Sequence, residues 1–252
     1  MDGSAARPEG RRIGDLIARM EAIGGRLGPM DARRHFHGTY LRTTRAVAEE
    51  IRRGGFLDPV WVERWDVEFA ELYLKPFEAW DRGDPVPGPW TIAFETARDR
   101  PALPGLRHVL FGINVHVNND LPLALLAVIS DQEFDDPEVV RRRAADHEHI
   151  DVVLSSRVGA EDRELEGRSL TDRLLAPLNR RASKRFLAEA RAKVWRNARV
   201  LSIARRQGSE ALDARIAELE GLCAARVADL VAPGQVVLKL ARRGFGVLLS
   251  GA

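Results

Sequence analysis

The chain has 252 residues, of which 45% are hydrophobic and 30% charged, with a formal net charge of +2 at pH 7. This length and apolar content suffice for one domain with a full hydrophobic core. Basic and acidic residues are interspersed, and no basic patch is interleaved with aromatic residues, so we expect no nucleic-acid partner. The single cysteine, Cys223, excludes an internal disulfide and a cysteine-rich zinc site, and its apolar helical surroundings predict a core residue.

Neither a signal peptide nor a membrane span is predicted. The N-terminal string MDGSAARPEGRR has no apolar segment. The longest apolar run, from Leu121 to Ile129, is shorter than the roughly 18–20 residues of a membrane span. We therefore expect a cytoplasmic protein, with a disordered N-terminus over residues 1–10 and a single helical domain over residues 11–252.

Apolar residues recur at helical spacing through most of the chain, which predicts an all-α bundle of seven to nine helices. Asp58 as N-cap and Pro59 as first residue begin one helix, and Ser209 is predicted to cap another. The pattern of residues 169–206 is helical with a break at Pro177. The segment after Gly234 is either a final short helix or an apolar tail packed across the bundle. The other helices are predicted over residues 11–27, 30–53, 90–97, 106–130 and 135–158.

The stretch from Leu106 to Ser130 is mostly apolar but carries four polar residues in its middle, namely His116, Asn118, Asn119 and Asp120. His116 and Asp120 are four residues apart, so on a helix they share one face. A buried histidine–carboxylate pair needs a metal, a substrate or another polar group as partner. Pro122 removes one helical hydrogen bond and is expected to kink the helix near Asn118.

Further ionisable residues lie on predicted apolar helix faces, and helical bundles build metal sites from such inward-facing histidines and carboxylates. Nitrogen and carboxylate ligands suit zinc, iron or manganese. The predicted metal ligands are Asp66, His116, Asp120, His147, Asp151 and His37. The predicted catalytic residues are His116, Asp120, Asp66 and His147, and His108 is a possible addition to this cavity. The predicted substrate-binding residues are Tyr40, Tyr73, Asn118, Asn119 and Trp90.

Three functional hypotheses follow from this set of residues. The first is a metal-assisted hydrolase of an ester or phosphoester in a small or lipid-like molecule. The second is a metal-free cyclase or isomerase that uses the same pocket for acid–base chemistry. The third is a non-catalytic binding or scaffold protein whose polar residues specify helix packing.

The acidic run SDQEFDD over residues 130–136 is interpreted as a helix-capping loop. It resembles the Asp-rich motif of class I terpene synthases, which would make the second hypothesis terpene-like. The second magnesium motif of that family is not matched, because Asn179 and Ser183 have the first spacing but Glu189 is out of register. A phosphate-binding Gly-rich loop, a G-x-S-x-G elbow and an H-E-x-x-H motif are all missing from the sequence.

Three strings, FHGTYLRTTRAV (36–47), WDVEFAELYL (65–74) and GINVHVNNDLPLALLAV (112–128), resemble a bacterial family of about this length whose function is unknown. The resemblance covers most of residues 30–160, and GIN-x-H-x-N-x-DLPLA is its most specific part. It implies a soluble helical protein with Asp66, His116, Asn118 and Asp120 inside the characteristic strings, and it transfers no functional residue.

A looser similarity connects the chain with the all-α zinc phospholipase C and single-strand nuclease superfamily. Those enzymes take metal ligands from His-x-x-x-Asp/Glu pairs and a separate Asp on helices, a spacing that Asp66, the His116–Asp120 pair and the His147–Asp151 pair resemble. The N-terminal Trp ligand of that superfamily is missing here, and an analogy of fold does not establish function.

Overall fold

The computed structural model describes residues 12–164, 170–234, 239 and 244–251, with side chains described except for residues 12, 151 and 154–188. The expected disorder of residues 1–10 lies outside this range. The described residues form an all-α bundle, which confirms the predicted fold class. The helices are α1 Arg12–Arg26, α2 Arg33–Arg52, α3 Pro59–Arg82, α4 Gly88–Asp99, α5 Gly105–Val128, α6 Asp131–Asp135, α7 Pro137–Glu164, α8 Leu170–Gln207 and α9 Ser209–Val231.

Helix α5 consists of three consecutive parts and lies at the centre of the bundle. Regular α-helix over Gly105–Val115 and Leu121–Val128 flanks a π-helical turn over His116–Asp120. The first part contacts α2, α4 and α9, and the last part packs between α3 and α8. Helices pack around the middle of α5, so its polar residues His116, Asn118, Asn119 and Asp120 are buried, while Val117 is partly exposed.

The predicted helix boundaries are confirmed in part. Asp58 accepts a hydrogen bond from the Trp61 amide at 3.0 Å, and Pro59 is the first residue of α3, as predicted. The prediction that Ser209 is an N-cap was wrong, because Gly208 occupies that position with φ of 124°, a conformation that favours glycine, and Ser209 is the first helical residue. The predicted break at Pro177 was also wrong. Helix α8 runs through it, since the loss of one hydrogen bond does not end a helix of 38 residues.

The acidic run 130–136 caps two helices, as its interpretation as a capping loop predicted. Ser130 and Glu133 form a reciprocal capping box at the start of α6. Asp136 accepts hydrogen bonds from the amides of Glu138 and Val139 at the start of α7. Asp131 and Asp135 form ion pairs with Arg205 and Arg206, so each acidic residue of the run has a partner within the chain. Cys223 is fully buried in the core, as predicted.

Residues 244–251 form a non-helical segment, which we call the C-terminal segment. Phe245, Val247 and Leu249 are buried, whereas Leu248 and Ser250 are exposed. Apart from Gly246, which is also buried, this alternation is typical of an extended chain that presents one edge to a core. Residues 244–251 therefore match the packed apolar tail, while Lys239 is helical and the other residues of 235–243 lie outside the described ones. Of the helices that the structure describes, none is long and apolar enough to cross a membrane.

Helices α2 and α5 approach closely at Gly112, and this contact places Phe36 beside the centre of α5. A Cβ atom at Gly112 would lie 2.3 Å from Cγ of Phe36. Gly221, in the middle of α9, has nothing within 4 Å of such an atom. The same substitution should therefore have opposite effects at these two helical glycines.

We expect Gly112→Ala to lower the free energy of unfolding by about 1–3 kcal/mol, because the added methyl group overlaps a buried ring. We expect Gly221→Ala to raise it by about 0.5–1 kcal/mol, because alanine favours the helix. Urea unfolding followed by circular dichroism measures both. Equal effects of the two substitutions would contradict the close helix approach at Gly112.

Candidate functional site

The π-turn His116–Asp120 is the local irregularity on which the candidate site is built. The amide of Leu121 donates to the carbonyl of His116, five residues earlier, so the turn is wider than an α-helical turn. Pro122 follows directly and has no N–H to give to the carbonyl of Asn118. Such turns inside α-helices are rare and often occur at functional sites. The sequence predicts a kink near Asn118, and the structure has a π-turn at this place.

His116 and Asp120 form a buried hydrogen-bonded pair across this turn, with Nδ1 of His116 2.8 Å from Oδ2 of Asp120. Asp120 also accepts hydrogen bonds from Nε1 of Trp90 at 3.0 Å and from Nδ2 of Asn119 at 2.9 Å. Nε1 of Trp90 and Nδ2 of Asn119 can only donate, and two such donors favour the ionised form of the carboxyl group. We therefore assign the proton of the imidazole to Nδ1, which leaves Nε2 with a free lone pair.

Burial acts on the pKa of both partners. It lowers the pKa of His116, and the hydrogen bond and negative charge of Asp120 partly offset this effect. Burial raises the pKa of Asp120, and the hydrogen bonds from His116, Asn119 and Trp90 oppose that rise. The neutral imidazole is therefore the resting form, and its Nε2 is able to accept a proton.

Aromatic rings hold the His116 side chain in one orientation. The ring stacks on Phe69 with centroids 3.6 Å apart and an interplanar angle of 6°. Tyr40 packs edge-on at 4.5 Å, and Phe36 at 5.9 Å. Among the described residues, Nε2 of His116 is buried without a hydrogen-bond partner. Leaving a buried polar atom unpaired costs about 1–3 kcal/mol, so this atom needs an explanation beyond packing.

Asp66 and Tyr40 add two more buried polar groups near the pair. Oδ2 of Asp66 and the hydroxyl of Tyr40 also have no hydrogen-bond partner in the described part of the chain. Burial raises the pKa of Asp66 to about 7, with a contribution from the negative charge of Glu63. Burial, followed by the charges of Asp66 and Asp120, raises the pKa of Tyr40 well above its usual value. Near neutral pH, Asp66 therefore exchanges a proton while Tyr40 keeps its own.

His37 lies at a different position and uses both ring nitrogens. Nε2 donates to the carbonyl of Met20 at 2.8 Å, and Nδ1 accepts from the hydroxyl of Tyr73 at 3.1 Å. His37 thereby ties α2 to α1 and α3. Both ring nitrogens of His37 are therefore engaged, and neither is left for a metal. The hydroxyl of Tyr73 is engaged as well, and the ring of Tyr73 lies 6.0 Å from that of His116.

His147 is buried on the far side of two aromatic rings from His116. It packs edge-on against Trp65 at 5.0 Å, and Trp65 in turn stacks toward Phe69. Nδ1 of His147 accepts a hydrogen bond from Nε1 of Trp195 at 2.9 Å. Burial lowers the pKa of His147 to about 3, with a contribution from the charge of Arg191.

The side chain of Asp151 lies outside the described residues, so the predicted His147–Asp151 pair is not described. Among the side chains that are described, no three histidine, cysteine, aspartate or glutamate residues form a group able to hold a metal ion. Tyr40 packs on His116, and the charges of Asp66 and Asp120 both act on the Tyr40 hydroxyl, so these groups share one buried region. His37 and His147 are bonded to other partners.

Of the predicted substrate-binding residues, four contact the pair itself. Trp90 and Asn119 donate to Asp120, and the rings of Tyr40 and Tyr73 pack edge-on against His116. Asn118 instead hydrogen-bonds the backbone of the C-terminal segment. Phe69, the ring in closest contact with His116, was missed as a site residue. Its spacing of three residues from Asp66 on one helix face was the available signal.

A small cleft of about 20 Å³ lies at the surface next to this region, and it has room for about one water molecule. Phe36 and Trp90 line it and also pack against the ring of His116. His108 lines it from α5, and its buried Nε2 has no hydrogen-bond partner among the described residues. Two aromatic side chains thus separate the cleft from the histidine–aspartate pair.

These features define an all-α protein with a buried histidine–carboxylate site at the centre of one helix. Residues 13–233 match the model of DUF5995, a family of unknown function, and the chain belongs to that family. The match includes the π-turn, Asp66 and the cleft, whereas the C-terminal segment lies beyond it. Searches of curated proteins and of solved structures found no match.

Asp66 should make the stability of the protein depend on pH. Its folded-state pKa of about 7 lies above its ordinary value of 3.8, so the folded chain holds a proton that the unfolded chain releases between these values. The contribution of Asp66 to stability is present at low pH and is lost as the pH rises from about 4 to about 7. We expect Asp66→Asn to remove this loss.

Wild type should therefore lose up to about 4 kcal/mol of its free energy of unfolding between pH 4 and pH 7, and Asp66→Asn should not. The difference in free energy of unfolding between the variant and wild type should grow by this amount. Urea unfolding at several pH values measures the difference. Glu71→Gln is the control, since Glu71 lies on the same helix and forms a partly exposed ion pair with Arg19. A constant difference between Asp66→Asn and wild type would show that the pKa of Asp66 is not raised.

Proposed function

We propose that this protein is an acid–base enzyme that hydrolyses an ester of a small or lipid-like molecule, with His116 as general base. One observation carries the proposal. Nε2 of His116 is buried and unpaired among the described residues while the carboxyl group of Asp120 binds the opposite nitrogen. In a structural histidine both nitrogens are normally satisfied, as they are in His37. An aspartate at Nδ1 fixes the tautomer and stabilises the imidazolium that forms when Nε2 takes a proton.

Three side chains take part in the proposed reaction: His116 as general base, Asp66 as general acid and Tyr40 as hydrogen-bond donor. Nε2 of His116 takes a proton from water, and the water oxygen forms a bond to the ester carbonyl carbon. As the carbon–oxygen bond of the ester breaks, protonated Asp66 gives its proton to the leaving alkoxide. The proton on His116 then returns to Asp66, which restores both groups. The Tyr40 hydroxyl, which keeps its proton, donates a hydrogen bond to the oxyanion of the intermediate.

In this proposal a substrate enters at the cleft. Because the cleft has room for only about one water molecule, Phe36 or Trp90 has to move before an ester reaches His116. Trp90 donates to Asp120, so its movement also changes the environment of the carboxylate. Substrate entry and the state of the catalytic pair are therefore linked in this proposal.

A metal-assisted phosphoesterase or esterase is the second candidate. The observation that favours it is that Nε2 of His116 and Oδ2 of Asp66 are both buried and unpaired. An imidazole nitrogen and a carboxylate oxygen suit zinc, iron or manganese. A bound metal would lower the pKa of a coordinated water and replace the general base.

We expect His116→Gln to lower kcat/KM for p-nitrophenyl esters by about 10²- to 10⁴-fold, because it removes the proton acceptor. The measurement uses a series from acetate to octanoate, together with bis-p-nitrophenyl phosphate. His149→Gln is the matched control, since His149 forms a histidine–glutamate contact with Glu50 away from the site. Equal activity of His116→Gln and wild type on every substrate would refute the role of His116.

The pH profile tests Asp66 in the same assay. The general acid must be protonated, so activity should fall as the pH rises through about 7, the pKa of Asp66. Asp66→Asn should lose this alkaline limb as well as most of the rate. A fall that persists in Asp66→Asn would assign the limb to another group.

Metal content separates the two candidates. For the acid–base enzyme we expect purified wild type to hold no stoichiometric zinc, iron or manganese by mass spectrometry and to keep its activity in EDTA. Stoichiometric metal that is lost in both His116→Ala and Asp66→Asn would favour the metal-assisted enzyme instead. A metal-free protein without esterase activity would favour the non-catalytic hypothesis.

A further inference from the structure

Two asparagines hold the C-terminal segment in the same way. Nδ2 of Asn118 donates to the carbonyl of Phe245 at 3.0 Å, and its Oδ1 accepts from the amide of Val247 at 3.3 Å. Nδ2 of Asn197 donates to the carbonyl of Val247 at 3.1 Å, and its Oδ1 accepts from the amide of Leu249 at 3.0 Å. Each side chain therefore binds a carbonyl and the amide two residues later, as a neighbouring strand would. We call them the Asn118 clamp and the Asn197 clamp.

The Asn118 clamp differs from the other because it lies inside the π-turn. Asn118 is the middle residue of the turn, two residues after His116 and two before Asp120. The carbonyl of Phe245 also accepts a hydrogen bond from Nδ2 of Asn114 at 3.2 Å. Asn114 belongs to the regular helix before the turn. One carbonyl of the C-terminal segment thus ties together the two sides of the junction at which His116 lies.

Further contacts fix the register of the C-terminal segment. Nζ of Lys193 donates to the carbonyl of Gly246 at 3.1 Å. The amide and hydroxyl of Ser250 both donate to Oε1 of Glu218, at 2.9 and 2.6 Å. A Cβ at Gly246 would lie 2.6 Å from Cδ of Lys193, so the glycine allows this close approach. With the register fixed in this way, the Phe245 carbonyl lies opposite the π-turn.

We propose that Asn118 is a positioning residue, through which the C-terminal segment holds the π-turn and thereby the orientation of His116 toward Asp120. The inference rests on the proposed function because it concerns the same histidine. Asn118 touches neither a substrate nor the ring of His116 in this proposal. It acts by keeping the backbone between His116 and Asp120 in the wide turn, so that Nδ1 of His116 donates to Asp120 and Nε2 stays unprotonated.

The test compares the two clamps in the full-length protein labelled with ¹⁵N-histidine. Asn118→Ala and Asn197→Ala each remove one clamp, and hydrogen exchange of residues 244–251 measures how far each releases the segment. The ring ¹⁵N signals of His116, assigned by their loss in His116→Gln, report which nitrogen carries the proton. We expect both alanine variants to accelerate exchange in the segment. Only Asn118→Ala should shift the two His116 nitrogen signals toward each other, as the tautomers mix.

Two results would overturn the proposal: unchanged His116 signals in an Asn118→Ala protein whose segment is released, or the same shift in Asn197→Ala. The signals of His147 serve as an internal reference. If Asn118→Ala does not fold, Asn118→Asp replaces it, since it keeps an acceptor for Val247 and loses the donor to Phe245. The spectra need no substrate, so they decide this proposal even if the ester assay fails and the proposed function is refuted.

Discussion

The carboxylate of Asp120 at the centre of the bundle is the constraint on which the rest of the site depends. A charged group in an apolar interior is stable only where hydrogen bonds replace its water. Asp120 obtains these bonds from His116 on its own turn, from Asn119 next to it and from Trp90 on α4. The arrangement therefore fixes the tautomer of His116 and the position of α4 at the same time.

The π-turn allows several polar side chains to be buried and hydrogen-bonded within an otherwise apolar helix. Asn118 and Asn119 follow each other on the turn and serve different partners, the C-terminal segment and Asp120. Around them, Leu121, Ala124 and Leu125 continue the hydrophobic core without interruption. The amides thus satisfy backbone and carboxylate groups that would otherwise be buried without partners, and the core keeps its packing.

The sequence allowed the fold to be predicted because helical periodicity and capping are local. Asp58, Pro59 and the capping box of Ser130 lie within three residues of their partners, so their roles follow from spacing. The π-turn could not be predicted, since His116 and Asp120 share a face in either kind of turn. The partner of Asn118 could not be predicted either, because it lies 127 residues away and is a backbone carbonyl that any residue provides.

Sequence spacing also could not predict that the three predicted histidines lie in different environments. His37, His116 and His147 all lie on apolar helix faces, and spacing alone does not distinguish them. The structure does so through the second ring nitrogen. His37 has both nitrogens bonded to neighbouring helices. His147 accepts directly from Trp195, and the rings of Trp65 and Phe69 lie between it and His116. His116 combines a carboxylate at one nitrogen with an unpaired lone pair at the other.

The unpaired Nε2 of His116 and two other buried polar atoms lower the stability of the fold. Nε2 of His116, Oδ2 of Asp66 and the Tyr40 hydroxyl are each buried and unpaired among the described residues. At about 1–3 kcal/mol each, they cost a substantial part of the 5–15 kcal/mol by which folded domains are usually stable. Apolar residues of similar size would pack in these places without that cost. A ligand that paired with these atoms would recover the lost free energy as binding energy, so under the proposed function the destabilising groups would also provide affinity and chemistry.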